Sequence, residues 1–325
     1  MKGLLALCVV VGVAWAGVTS SGADFVHASS SPGNSFAAAS DFNTVAVSMD
    51  DPGSPRNGIV ALQATASSER GIDRVRFQSA PTGTSTWTDA CEDAAAPYAC
   101  DWDSAGVADG ARDLRAIAVD QAGYQRIATV AARVIDNALP SAALNDPGIL
   151  TGIEILTATG ADPLAGLGSL GISYRPAGGG SWTDLCTGAT SPRVCPLDTT
   201  TLPDGDYELR ARSTDAAGNV RDSVLTRAVD NTAPSASITM PAAVTGTVTV
   251  PVTAGDGTGS GVKQATIQIR TAPAGAWANL CAVDTAAPFE CTGFDTTARA
   301  EGLYDLQAIV EDNAGLITTS AATTI

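Results

Sequence analysis

Between Ser181 and Pro234 the chain reads S-W-T-D-L-C-T-G-A-T-S-P-R-V-C, then L-P-D-G-D-Y-E-L-R-A-R-S-T-D-A-A-G-N, and closes on A-V-D-N-T-A-P. The same grammar occurs once before this stretch and once after it. Tryptophan falls at Trp87, Trp182 and Trp277, a spacing of 95 residues. Each is followed by two cysteines, Cys91 and Cys100, Cys186 and Cys195, Cys281 and Cys291. Each repeat then carries D-x-A-G, at Asp120 to Gly123, Asp215 to Gly218 and Asp312 to Gly315. Self-similarity at a fixed period sets the architecture before any local reading does.

The segments between these markers alternate apolar and polar residues. In the first repeat, Thr44 to Met49, Ile59 to Ala66, Ile72 to Gln78, Ser85 to Thr88, Leu114 to Val119 and Ile127 to Ile135 read as strands. In the second they are Ile153 to Thr159, Leu170 to Arg175, Ser181 to Leu185, Tyr207 to Ser213 and Ser223 to Val229. In the third they lie near Thr247 to Thr253, Val262 to Arg270, Tyr304 to Val310 and Ile317 to Thr324. Period-2 segments separated by turn clusters predict an all-β chain of three tandem β-sandwiches. The expected division is 1–43 for a signal and junction, then domains at 44–136, 137–231 and 232–325. The joints Asp136-Asn137-Ala138-Leu139-Pro140 and Asp230-Asn231-Thr232-Ala233-Pro234 are too short for a flexible coil, and proline stiffens them. An elongated array with restricted bending is expected.

The net charge is −16, and lysine occurs only at Lys2 and Lys263. Phosphate-binding surfaces need clustered Lys and Arg, so no nucleic acid partner and no anionic membrane is expected. The single histidine, His27, precedes all three repeats. Histidine-activated nucleophiles and histidine metal sites are therefore excluded from the repeats. The recurring aspartates fall at turn positions in every repeat, and no catalytic residue and no cofactor are expected.

Met1 and Lys2, the apolar run Leu4 to Val13 and Ala14-Trp15-Ala16 have the layout of a secretory signal, too short to span a bilayer. Cys8 lies within it and should leave with it. Gly22 to Phe42, with Phe25, Gly33-Asn34-Ser35-Phe36 and Asp41, resembles the export junction of camelysin-like and biofilm-fibre proteins. That resemblance implies cleavage near Ala23 rather than Ala16. Nothing after the last strand reads as an anchor, so release into the medium is expected.

Six cysteines permit fifteen pairings, but each repeat owns one pair. In an oxidising compartment, Cys91–Cys100, Cys186–Cys195 and Cys281–Cys291 are the expected disulfides. A zinc site would need further Cys or His ligands that the repeats lack.

The full grammar, W-x-x-x-C, P-x-x-C, D-G-x-Y-x-L-R-A, D-x-A-G-N and V-D-N-T-A-P, resembles the bacterial Ig-like repeats of actinobacterial secreted and surface proteins. The second repeat carries it most fully. Tyr207 and Tyr304 resemble the tyrosine corner of such sandwiches, where the hydroxyl ties back to the chain just upstream. Arg112 stands in that place in the first repeat. Gly123, Gly218 and Gly315 are expected to supply positive φ in hairpin turns. The tryptophans are expected to cover the nearby disulfides. Repeats of this kind imply a secreted, non-catalytic role in adhesion or scaffolding, with an extracellular protein or polysaccharide as partner. Polysaccharide binding and matrix-fibre formation are the alternatives. Calcium needs six to eight oxygens, and the sequence shows one Asp per joint. The joints are therefore expected to be simple turns with no metal.

Overall fold

The computed structural model describes residues 44–325. The signal segment, Cys8, His27 and the export junction lie outside the described residues.

Domain one contains β1 (Ala46–Met49), β2 (Ile59–Ser67), β3 (Ile72–Pro81), β4 (Thr88–Asp93), β5 (Tyr98–Asp103), β6 (Gly110–Asp120) and β7 (Gln125–Ile135). Domain two contains β8 (Ser141–Leu144), β9 (Ile153–Ala161), β10 (Leu167–Pro176), β11 (Thr183–Gly188), β12 (Arg193–Asp198), β13 (Gly205–Asp215) and β14 (Val220–Val229). Domain three contains β15 (Ser235–Ile238), β16 (Thr247–Gly255), β17 (Val262–Thr271), β18 (Ala278–Asn279), β19 (Glu290–Asp295), β20 (Tyr304–Asp312), β21 (Ile317–Thr319) and β22 (Thr323–Thr324).

Domains one and two each face a three-stranded sheet against a four-stranded one, and domain three faces a three-stranded sheet against a five-stranded one. The orders are β1-β2-β5 with β4-β3-β6-β7, β8-β9-β12 with β11-β10-β13-β14, and β15-β16-β19 with β18-β17-β20-β21. In the third, β22 also pairs with β20. The pairings between the named strands are antiparallel, with single parallel bridges from Arg56 to Ile135 and from Leu150 to Val229, and the two facing sheets make an Ig-like sandwich. Alternation delivers one side of each strand inward: Val60, Leu62 and Ala64 of β2 meet Val75 and Phe77 of β3 and Leu114 and Ala116 of β6. Equivalent residues fill two further cores, around Leu156, Ile172 and Leu209 and around Val250, Ile267 and Leu306. Register shifts between Ile72 and Arg74 settle which residues of β3 face the core: Val75 and Phe77 are fully buried, and Ile72 packs at the margin.

The strands β5, β12 and β19 are absent from the sequence reading. They are edge strands carrying the second cysteine, with residues such as Asp101, Pro196 and Gly293 that suit an edge better than a sheet centre. β4 starts after Trp87 rather than at Ser85, where the alternation places it. The short strands β8 and β15 were also missed. The single last strand expected over 317–324 is interrupted at Ser320. There the buried hydroxyl accepts from Ala308 N–H, taking the place of a backbone carbonyl in the ladder.

The second cysteine on an edge strand explains the disulfides. Cys91 on β4 and Cys100 on β5 occupy facing edges of the two sheets, and so do Cys186 on β11 and Cys195 on β12. Cys281 lies two residues past β18 and bonds to Cys291 on β19. The Cα separations are 6.3, 6.1 and 5.8 Å, within the usual disulfide range. Each bond thus closes the open side of a sandwich.

Candidate functional site at the domain joints

The residues that leave one domain are built into the next. Asp136 is the first residue past β7 and Asp230 the first past β14, and neither has any exposed surface. The asparagine beside each faces backward. Asn137 Oδ1 accepts from Gly58 N–H, its Nδ2 donates to Ser104 O, and its own N–H donates to Asp109. Asn231 repeats this with Gly152, Thr199 and Asp204. The aspartates face forward. Asp136 Oδ2 accepts from Ala165 N–H at 2.8 Å, and Asp230 Oδ2 accepts from Ser260 N–H at 2.8 Å. The Asp-Asn pair therefore locks both ways, which is why neither residue can be spared for a loose turn.

Two further carboxylates meet each joint aspartate. One follows the second strand of the next domain: Asp162 past β9 and Asp256 past β16. The other ends its long hairpin strand: Asp215 closes β13 and Asp312 closes β20. Asp136, Asp162 and Asp215 bring one oxygen each within 4.8 Å of one another, as do Asp230, Asp256 and Asp312. Five of the six are buried, and Asp256 is half-buried.

The backbone fixes one oxygen of each turn carboxylate. Asp162 Oδ1 accepts from Leu164, Ala165 and Gly166 N–H, and Asp215 Oδ1 accepts from Gly218 and Asn219 N–H. Asp312 Oδ1 accepts from Leu316 N–H, and Asp256 Oδ2 from Gly261 N–H. The second oxygens of Asp162, Asp256 and Asp312 are buried without a hydrogen-bond donor. None of the six carboxylates has a Lys or Arg ion-pair partner among the described residues. Burial pushes the Asp136 carboxyl up, the N–H groups of Ala138 and Ala165 pull it back, and the facing Asp162 charge adds to the rise. Burial likewise raises Asp256, helped by the charges of Asp230 and Asp312. Burial acts on Asp162 as well, but its three backbone donors outweigh it and hold that carboxyl low. Gly259 passes so close to the second cluster that a Cβ there would stand 2.6 Å from Asp256 and 2.8 Å from Asp230.

The first joint has an additional clamp. Asn219 Nδ2 donates to both Asp136 O and Asp215 Oδ2 at 2.8 Å, and its Oδ1 accepts from Asn57 Nδ2 of domain one at 2.6 Å. Leu316 stands in that place at the second joint.

The D-x-A-G segments are the tight turns expected. Gly123, Gly218 and Gly315 have φ of 87°, 100° and 86°, and Asp120, Asp215 and Asp312 each accept at their carbonyl from that glycine's N–H. Two of these turns have a second use, since they carry Asp215 and Asp312 to the joints. Tyr207 Oη donates to Pro203 O at 3.2 Å and Tyr304 Oη to Ala300 O at 3.1 Å, the corner geometry anticipated for both. The tryptophans lie apart from the cores. Trp87, Trp182 and Trp277 are half-buried and belong to none of the three cores. Their rings lie 4.0–4.5 Å from guanidiniums on the outer sheet face, Arg115 for Trp87, Arg175 and Arg210 for Trp182, and Arg270 for Trp277. Cation–π contact rewards that placement.

The model of the bacterial Ig domain family matches residues 37–116. No curated protein matches the chain. Among solved structures, a tetra-tandem repeat in the extending region of a large adhesion protein is 17% identical, with TM-score 0.34, covering 87% of this chain and 74% of that one. The chicken CNTN1 FN1–FN3 domains are 13% identical, with TM-score 0.31, covering 86% and 96%. A two-domain fibronectin type-III segment of chicken tenascin is 15% identical, with TM-score 0.26, covering 55% and 97%. The sheet orders above, and not these likenesses, carry the Ig-like reading of the fold.

Proposed function

We propose that the chain is a secreted, non-catalytic scaffold of cell-surface adhesion, a series of Ig-like domains that holds its binding surface at a set distance. The observation that carries this is the fully buried Asp136, which leaves domain one and hydrogen-bonds into domain two. A joint tied in this way resists bending, which suits a spacer. Three disulfides fit an oxidising, extracellular setting, and no helix among the described residues is long and apolar enough to cross a membrane. Export is assigned to the segment Met1 to Ala16, with processing near Ala16 or Ala23. The actinobacterial type of repeat and the camelysin-like junction remain part of this proposal, resting on the sequence motifs alone. Polysaccharide binding through stacked tryptophans has less support, because Trp87, Trp182 and Trp277 already lie against arginines.

The test is fractionation of the producing cells together with an attachment assay. The expected result is a mature chain without Met1 to Ala16, found on the surface or in the medium with no free thiol, and weaker attachment when it is removed. A chain retained in the cytoplasm with reduced cysteines, or attachment that is unchanged by its removal, overturns the proposal.

A further inference from the structure

A buried carboxylate is stable only when something answers its charge. At the two joints the protein supplies backbone N–H groups to some oxygens and leaves others without a donor. Asp312 Oδ2 is the clearest case: its residue has no exposed surface, and the oxygen has no hydrogen-bond partner. Asp162, more than nine-tenths buried, repeats this at the first joint with its Oδ2. Both residues belong to clusters whose ligand oxygens lie within 4.8 Å of one another. In domain one no such cluster is found among the described residues. Ser68, the first residue past β2, replaces Asp162 and Asp256, and its hydroxyl donates to Asp120 Oδ2 at 3.2 Å.

We propose that Asp136, Asp162 and Asp215, and separately Asp230, Asp256 and Asp312, each bind one calcium ion, which completes the joint between successive domains. The donor set is oxygen alone, which selects a hard cation over zinc or copper. Three carboxylates supply three to six oxygens, and water fills the remaining positions of a six- to eight-coordinate ion. An ion with metal–oxygen distances of about 2.3–2.6 Å bridges oxygens spread over 4.8 Å. Magnesium holds its water more tightly and demands a stricter octahedron, so it is the weaker ligand. The sequence reading of these aspartates as turn formers is half the account: one oxygen of each turn aspartate makes the turn, and the other faces the ion. The inference does not depend on an adhesive role, since it rests on the joints alone.

The probe is calcium chloride added to the full mature chain after EDTA treatment, with magnesium chloride as control. Two calcium ions per chain are expected, with dissociation constants on the order of 10⁻⁴–10⁻³ M as in extracellular modules. The melting temperature should rise with calcium and far less with equimolar magnesium. Asp162→Ser and Asp256→Ser copy the residue that domain one uses, and each should remove one ion; the double variant should remove both. Absence of binding at about ten times the upper end of that range, or stoichiometry unchanged in the double variant, overturns the proposal. Should a variant fail to fold, ion counting on the unaltered chain after gel filtration in calcium decides: two ions support the proposal, and none overturns it.

Discussion

Ser68 and Asp162 occupy the same place in successive domains, the first position past the second strand, and one donates a hydrogen bond to a turn aspartate where the other confronts one. The hydroxyl of Ser68 answers Asp120, which is almost wholly buried. Replacing it removes that donor and adds a like charge beside Asp120, with no joint aspartate described there to complete a cation site. Ser68→Asp is therefore expected to destabilise domain one by more than about 1 kcal/mol at pH 7. The facing charge raises the folded-state pKa above that of the unfolded chain, so the penalty is present at neutral pH and fades as pH falls through the raised value. Urea unfolding of the variant at pH 7 and pH 4 checks this; a gap from the parent that does not narrow at pH 4 contradicts it.

Asn219 gives the two joints different stiffness. Its side chain reaches Asp136 O and Asn57 Nδ2, tying domain one to domain two at two points, and is itself held by Asp215 Oδ2 within domain two. Asn219→Leu copies Leu316 of the second joint, so domain two should keep its fold. What it loses is the donor to a buried carbonyl, worth about 1–3 kcal/mol. Amide hydrogen exchange should speed up around Asn57, Asp136 and Gly218 in this variant while β10 and β13 stay protected. Unchanged exchange at Asn57 and Asp136 would contradict the clamp.

The disulfides close loops of about ten residues between facing sheet edges, and removing one should cost about 2.5–3 kcal/mol through the freed unfolded chain. Cys186→Ser with Cys195→Ser is the informative pair, because Cys195 is fully buried and the core around it must tolerate a polar atom. The loss should therefore exceed that of Cys91→Ser with Cys100→Ser, whose cysteines are only partly buried. Chemical denaturation of the two variants side by side measures the difference.

The fold was legible because a repeated pattern fixes a repeated structure: alternation in β2, β3 and β6 names their inward residues, and one cysteine pair per repeat names the disulfides. What escaped were segments whose composition answers to position rather than period. Tyr98 to Asp103 escaped although Tyr98, Cys100 and Trp102 alternate inward, because it is a short edge strand between a disulfide and a turn, where one side of the ladder is open to solvent. The joint clusters escaped for a different reason. Asp215 and Asp312 already had a sufficient local explanation in their turns, and Asp162 and Asp256 follow strands where an aspartate commonly starts a loop. Only the docking of one domain on the next brings them to Asp136 and Asp230, and that distance is not written in either sequence neighbourhood. One signal was present: Asp162 and Asp256 both stand 26 residues after the joint aspartate, and Ser68 breaks the series.

The tyrosine corner offers a comparison within one chain. Tyr207 and Tyr304 each donate to the carbonyl four residues upstream. Arg112 occupies that position in domain one, on the strand equivalent to those of Tyr207 and Tyr304. It is 7% exposed, it reaches Ser79 Oγ through Nη2 at 3.3 Å, and its Nε has no partner. Burial lowers its pKa, the sign of a guanidinium held where water cannot reach it. Arg112→Tyr should place a hydroxyl within reach of Ala108 O and remove the unpartnered donor. A corner hydrogen bond contributes about 0.5–1.5 kcal/mol and an unsatisfied buried group costs about 1–3 kcal/mol, while the long contact to Ser79 is a smaller loss. Domain one should gain stability on balance. Tyr207→Phe should cost domain two about 0.5–1.5 kcal/mol, because only the hydroxyl is removed. Arg112→Phe separates the two contributions in domain one, since it removes the guanidinium without making the corner. Because three domains in series do not unfold as one unit, the readout is local: exchange-derived opening free energies for β6 and β13. The expected order at β6 is Tyr above Phe above the parent Arg, with β13 unaffected. Equal protection for Tyr and Phe would mean that the corner hydrogen bond contributes nothing in domain one.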